Sequence, residues 1–148
     1  MHRLINAELL DELGQVGTQT IHNLQSQGVD DLRERLLALS FAYFQFVSRN
    51  HRQWTALLAF NRSTPSKSTP DWYMIRLEML FDIISDNLKD TPIGMDETKR
   101  LVAARALWSS VHGIVTNSFV GRDDQLLRES TEAQIDLLIS IFVKGLYA

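Results

Sequence analysis

Apolar positions along the chain recur at intervals of three and four, and nowhere do they keep the strict two-residue rhythm of a half-buried strand. From Ile5 to about Gln25, the residues Leu9, Leu10, Leu13, Val16 and Ile21 fall on one broad stripe and predict a first helix. Gly14 and Gly17 interrupt it, each costing about 1 kcal/mol relative to alanine, so the pattern predicts a bend or a close approach to the backbone there. After Gly28, Asp30 is the expected N-cap of a second helix, with Glu34 in its first turns and an end near Arg49. Its centre, Leu36 to Val47, is apolar on nearly every face, which predicts the element that the others surround. A short third helix spans His51 to Phe60, and a polar connection runs from Asn61 to Pro70. Thr69-Pro70-Asp71 opens a fourth helix that reaches about Leu88, with Leu77, Leu80, Phe81, Ile84 and Leu88 as its buried stripe. Thr91-Pro92-Ile93-Gly94 breaks the chain, Asp96 caps a fifth helix to about Val120, and a last helix follows Gly121, capped near Asp123 or Ser130, to the C-terminus. The last helix carries two apolar stripes: Ile135, Leu138, Ile139, Phe142 and Leu146 on one side, and Leu137, Ile141 and Val143 turned partly away. A terminal helix with two apolar faces predicts a second copy of the chain as a partner.

The expected fold is therefore all-α, a single domain of about six helices in 148 residues. Composition narrows the chemistry. Apolar residues at 45% and charged residues at 22% match a globular domain with a packed core. The absence of cysteine removes disulfides, thiolate metal sites and Cys nucleophiles, and agrees with a reducing, cytoplasmic location. A formal charge of −3 lacks the basic excess of a nucleic-acid binder, so the expectation is that this chain does not itself hold DNA. The N-terminus carries Glu8, Asp11 and Glu12 where a secretory signal is unbroken and apolar, and no apolar run approaches the ~20 residues that span a bilayer, so no membrane association is expected.

Candidate catalytic groups are scattered. His2, His22, His51 and His112 make no i, i+3 or i, i+4 pair, and no glycine-rich phosphate loop occurs, so no metal or cofactor is expected. Glu78, Asp82 and Asp86 form an acidic stripe that reads as a solvated face near Arg76 and Lys89. Ser109, Ser110 and His112 are close in sequence, but the strand, turn and helix around a nucleophilic serine are missing. More informative is Leu107 to Val115. There Trp108 and His112 share a helical face, and the mid-helix Gly113 predicts tight packing against it. A buried histidine among aromatic residues is either a satisfied core group or the polar anchor of an otherwise apolar ligand pocket.

The segment Trp108-x-x-x-His112-Gly113, preceded by Ala104 and Leu107 and followed by a terminal helix, resembles the Trp-His-Gly signature in the C-terminal domain of TetR-type transcriptional regulators. The run Ala42-Tyr43-Phe44-x-Phe46-Val47-x-x-Asn50-His51-x-x-Trp54 is similar to that family's approach to its short middle helix, with His51 where the family usually has proline. The resemblance implies an effector-sensing and dimerisation domain whose last two helices pair with their copies in a four-helix bundle, the earlier helices enclosing a small-molecule pocket. It also implies a helix-turn-helix DNA-binding domain N-terminal to this region, and nothing before Ile5 could encode one. Residues 1–148 are thus expected to be a ligand-binding and dimerisation domain, reaching DNA only through a domain absent from this chain. Expected ligand-binding residues are Phe44, Trp54, Phe60, Trp72, Trp108 and His112, around a small apolar or aromatic effector. Expected homodimer residues are Val111, Val115, Ile135, Leu138, Phe142 and Leu146. The expected function is small-molecule sensing and dimerisation for a TetR-like repressor, not catalysis. One alternative is a mutase- or lyase-type enzyme clamping an acidic metabolite with Arg105, Lys99 or Arg76. Another is a ligand-free helical dimerisation module, which requires a cavity-free core around Trp54 and Trp108.

Overall fold

The computed structural model describes residues 2–63, 71–119 and 125–148, with side chains described for 6–59, 71–119 and 130–148. The described residues form six helices and no strand: α1 (His2–Ser26), α2 (Leu32–Arg49), α3 (His51–Ser63), α4 (Asp71–Asp86), α5 (Glu97–Ser118) and α6 (Gln125–Leu146). This is the all-α architecture that the apolar spacing predicts.

Local chemistry sets the ends. Gly28 takes the left-handed conformation, φ 74°, that closes α1. The amide of Val29 bonds the carbonyl of Leu24 at 2.9 Å and that of Gly28 bonds Gln25 at 3.0 Å, the two-bond closure that favours glycine at this position. The cap of α2 is Asp31 rather than Asp30: the Asp31 carboxylate accepts the amide of Glu34 at 3.2 Å, whereas Asp30 is turned outward to pair with Arg35 at 3.1 Å. Asp96 caps α5 as expected, accepting the amide of Lys99 at 3.1 Å. Gly94 is required by crowding, since a Cβ there would lie 1.8 Å from the carbonyl oxygen of Lys89. Helix α4 stops at Asp86, and Leu88 is fully buried in the following turn. Ser130 lies inside α6, which already runs from Gln125, so it is not the cap; Asp123 is outside the described residues.

The helices pack as a ring: α1 on α2, α2 on α6, α6 on α5, α5 on α4, and α4 back on α1. Helix α2 also meets α5 across the ring and α3 at its end, the central position expected of a segment apolar all round. It buries Leu36, Tyr43, Phe44, Phe46 and Val47. Helix α5 turns Ala104, Leu107, Val111 and Val115 inward, four positions at helical spacing. Its Gly113 corrects an expectation: a Cβ there would have no atom within 4 Å, so nothing among the described residues packs tightly against it.

The phase of α6 corrects another. Ile135 and Ile139 are 0% exposed, and Leu138, Phe142 and Leu146 lean on the same core. Arg33 of α2 holds this phase by bonding the Asp136 carboxylate and, at 3.1 Å, the Ser140 hydroxyl. Consequently the second stripe faces out, with Leu137 63% and Ile141 60% exposed. Because Ile135 fills the space between α6 and its neighbours, Ile135→Ala is expected to cost about 2–5 kcal/mol, through lost burial and a residual cavity. Urea unfolding followed by circular dichroism measures it.

Candidate functional site

Four helices place aromatic rings around one buried hydroxyl. Tyr43, on the inner face of α2, is 5% exposed and has the Trp108 ring 4.8 Å away, centroid to centroid. The ring of Trp54, from α3, meets Tyr43 edge-on at 5.7 Å and Phe46 at 6.2 Å. On α5, Trp108, His112 and Thr116 follow at i, i+4 and i+8, and therefore share a face. The Trp108 and His112 rings are almost parallel, 4° apart in plane with centroids at 6.0 Å, and make one flat wall. Helix α4 contributes Tyr73 and Leu77, α3 adds Leu58, and α1 adds Leu10. These residues line a half-open cavity of about 320 Å³. A second space of about 60 Å³, lined by Tyr43 and Trp108 among others, lies between α1, α2, α4 and α5 and is almost wholly apolar.

The polar chemistry of the larger cavity centres on a 2.6 Å bond between the Tyr43 hydroxyl and Nδ1 of His112. Burial raises the Tyr43 pKa far above the ordinary phenol range, and the neighbouring Tyr73 adds to the shift. The Trp54 indole acts on Tyr43 in the opposite direction, although its buried Nε1 has no acceptor at hydrogen-bonding geometry. Burial also raises Tyr73 and lowers His112. Both partners of the bond are thus neutral near pH 7. A buried hydroxyl must donate its single proton, so Tyr43 donates to Nδ1 and the imidazole carries its own proton on Nε2. The Thr116 hydroxyl is buried without a hydrogen-bond partner. Among the described lining residues, none is charged.

Of the residues expected at a pocket, Trp54, Trp108 and His112 come together here. Phe44 does not, because it points from α2 toward Phe119, with ring centroids 6.3 Å apart. Trp72 lies outside the lining and meets the edge of Tyr73 at 5.9 Å. The side chain of Phe60 lies outside the described residues. Sequence reasoning missed Tyr43, Tyr73 and Thr116. The i+4 step from His112 was a usable signal for Thr116, whereas choosing Tyr73 over its neighbour Trp72 requires the phase of α4.

The expected dimer residues divide differently. Val111, Val115 and Ile135 are buried in the subunit's own core and offer no surface to a second copy, while Leu138, Phe142 and Leu146 are half-buried against that core. The groups of the enzymatic alternative do not converge. Arg76 pairs with Asp11 at 3.0 Å, Arg105 lies 5.2 Å over the Phe81 ring, and Lys99 is exposed. Ser110 bonds the carbonyl of Ala106 and Ser109 is exposed, so neither engages His112. Glu78, Asp82 and Asp86 are exposed, and no group of metal-binding side chains occurs among the described residues. The half-open cavity lies beside Trp54 and Trp108.

The His112 pKa lies below that of the unfolded chain, so the unfolded state binds this proton more readily. His112 therefore makes its full contribution to stability above about pH 6.5, and that contribution is lost as the pH falls below this value. Urea midpoints measured between about pH 7.5 and 5.5 are expected to fall with acidification. A shallower fall in His112→Gln confirms the assignment, and an unchanged slope removes it.

Neither the curated proteins nor the solved structures compared with the chain give a significant match. The family described as tetracyclin repressor-like, C-terminal domain, matches residues 36–142, from the middle of the first turns of α2 to near the end of α6. That span includes every α3, α4 and α5 residue of the cavity wall. The chain belongs to the tetracyclin repressor-like C-terminal domain family of transcriptional regulators.

Proposed function

We propose that this domain senses a small apolar or aromatic effector in the cavity of Trp54, Trp108 and His112, and dimerises through the outer faces of α5 and α6. A single observation carries the reading: α5 lines the cavity on one side and lies bare on the other. Its inner face holds Trp108, His112 and Thr116. Its outer face runs through Val102, 63% exposed, then Ala106 and Ser109, to the open Cα of Gly113. Helix α6 lies beside it with Leu137 and Ile141 exposed. Two adjacent helices with apolar, small-residue outer faces suit a twofold pairing, in which the same surface of two copies is covered.

The mechanism is a population shift. A ligand that fits one position of α5 better than another favours that position by its difference in affinity, about 1.4 kcal/mol for each tenfold. Since packed helices move as units, the shift reaches the α5 and α6 surface and changes the relation of the two subunits. In this reading the subunits carry helix-turn-helix domains N-terminal to the residues described, whose spacing on DNA the effector controls, and the regulator works in the cytoplasm. No helix among the described residues is long and apolar enough to cross a membrane.

Native mass spectrometry of the purified chain tests both parts. A dimer that carries an extra small-molecule mass supports the reading, and a ligand-free monomer overturns it. In sedimentation equilibrium, Ile141→Asp is expected to give a monomer with unchanged helical circular dichroism, because the substituted side chain is exposed in the single subunit. A dimer that tolerates this charge rejects the α6 face.

A further inference from the structure

Gly17 has no role in holding the fold. It lies inside the continuous helix α1, where glycine weakens the helix, yet its backbone is not in the left-handed region that favours glycine. Nor do its neighbours exclude a side chain: a Cβ there would make ordinary contacts, 3.4 Å from Cδ1 of Ile83 and 3.8 Å from Cδ2 of Leu39. What the bare position leaves is room, because Gly17, Leu39 and Ile83 all border the small space between α1, α2, α4 and α5. We infer that this space is a second binding site, besides the cavity of Trp54 and His112, and that it takes the end of a linear aliphatic chain.

The space is half-open. Leu13, Leu36, Leu107 and Val111, each at most 5% exposed, close its inner side, while the partly exposed Gly17, Leu39 and Ile83 stand at its mouth. Its two hydroxyl-bearing residues have already given their protons: Ser40 donates to the Leu36 carbonyl at 2.8 Å, and Tyr43 to Nδ1 of His112 at 2.6 Å. No charged side chain borders it, and nearly all of its wall is carbon. A carbonyl or carboxylate inside would find no free proton, and a water would lack the roughly two to four partners that hold one, whereas hydrocarbon loses nothing on entry and gains contacts. Size then separates a chain from a ring. The space of about 60 Å³ is well below the ~150 Å³ of an apolar cavity that admits benzene, and a chain can continue outward past Gly17. Trp108 borders both spaces, so a chain seated here touches the wall of the proposed effector cavity.

The test titrates the full chain, with its Ile, Leu and Val methyl groups labelled for NMR, with 1-butanol, 1-pentanol, 1-hexanol and benzyl alcohol. The linear alcohols are expected to shift the methyl signals of Ile83, Leu39 and Val111 saturably, with affinity rising about fourfold for each added methylene. Benzyl alcohol is expected to bind there more weakly than 1-hexanol. Gly17→Ala places a methyl group at the mouth, and Val111→Ile adds one from α5. Each is expected to weaken 1-hexanol about fourfold while keeping the helical circular dichroism, and Thr18→Ala, at an exposed position of the same helix, to leave it unchanged. If the alcohols shift only the methyl groups of Leu58 and Leu77 in the larger cavity, if affinity does not rise with chain length, if benzyl alcohol binds best beside Ile83 and Leu39, or if neither filling substitution weakens binding, the inference fails and the effector reading of the larger cavity is untouched.

Discussion

A phenol hydroxyl buried in a helical core must find an acceptor, because leaving it unpaired costs about 1–3 kcal/mol. Tyr43 meets this demand at one place, Nδ1 of His112, and much of the interior is arranged around that contact. Tyr43 belongs to α2 and His112 to α5, so the bond sets the register of these helices where they meet across the ring. It fixes the imidazole tautomer, and it holds the Tyr43 ring where Trp108 covers one side and the edge of Trp54 meets it. Trp108 lines both the small apolar space and the larger cavity, and Tyr43 lines the small one. Replacing Trp108 alters both spaces together.

Helix α5 is the second organising element. Its inward residues contribute to the core between α4 and α6, and its turns between Trp108 and Thr116 form one wall of the cavity. Its outward residues are small or exposed, and no described residue packs on Gly113 from that side. Charge follows the same division. The ion pairs of Arg76 with Asp11, Lys89 with Asp86 and Arg33 with Asp136 lie on the exterior or bridge its seams, while the cavity wall described has none. This leaves the cavity wall to ring faces and a few neutral hydrogen-bonding groups.

Periodicity was enough to specify six helices, the central role of α2 and the cap at Asp96, because each depends on residues within a few positions of one another. It also placed Trp108 and His112 on one face, and the spacing extends without ambiguity to Thr116. Whether a face looks inward is a different kind of fact. Helix α6 carries two apolar stripes of similar strength, and only the fit of Ile135 and Ile139 against α2 and α5, held by Arg33, assigns one to the core and leaves the other bare. Phe44 and Tyr43 are neighbours in an almost wholly apolar helix. A rotation of about 100° between them sends one toward Phe119 and the other to His112. Gly113 shows the opposite ambiguity, for a glycine in mid-helix suggests a close approach that the described residues of this chain do not make. What the sequence alone determined was the set of helices and the kinds of side chain on each face, since helical spacing is local. The direction of each face, the Tyr43 to His112 bond and the cavity beside it were decided only by tertiary structure, because they depend on the relative rotation of helices distant in the chain.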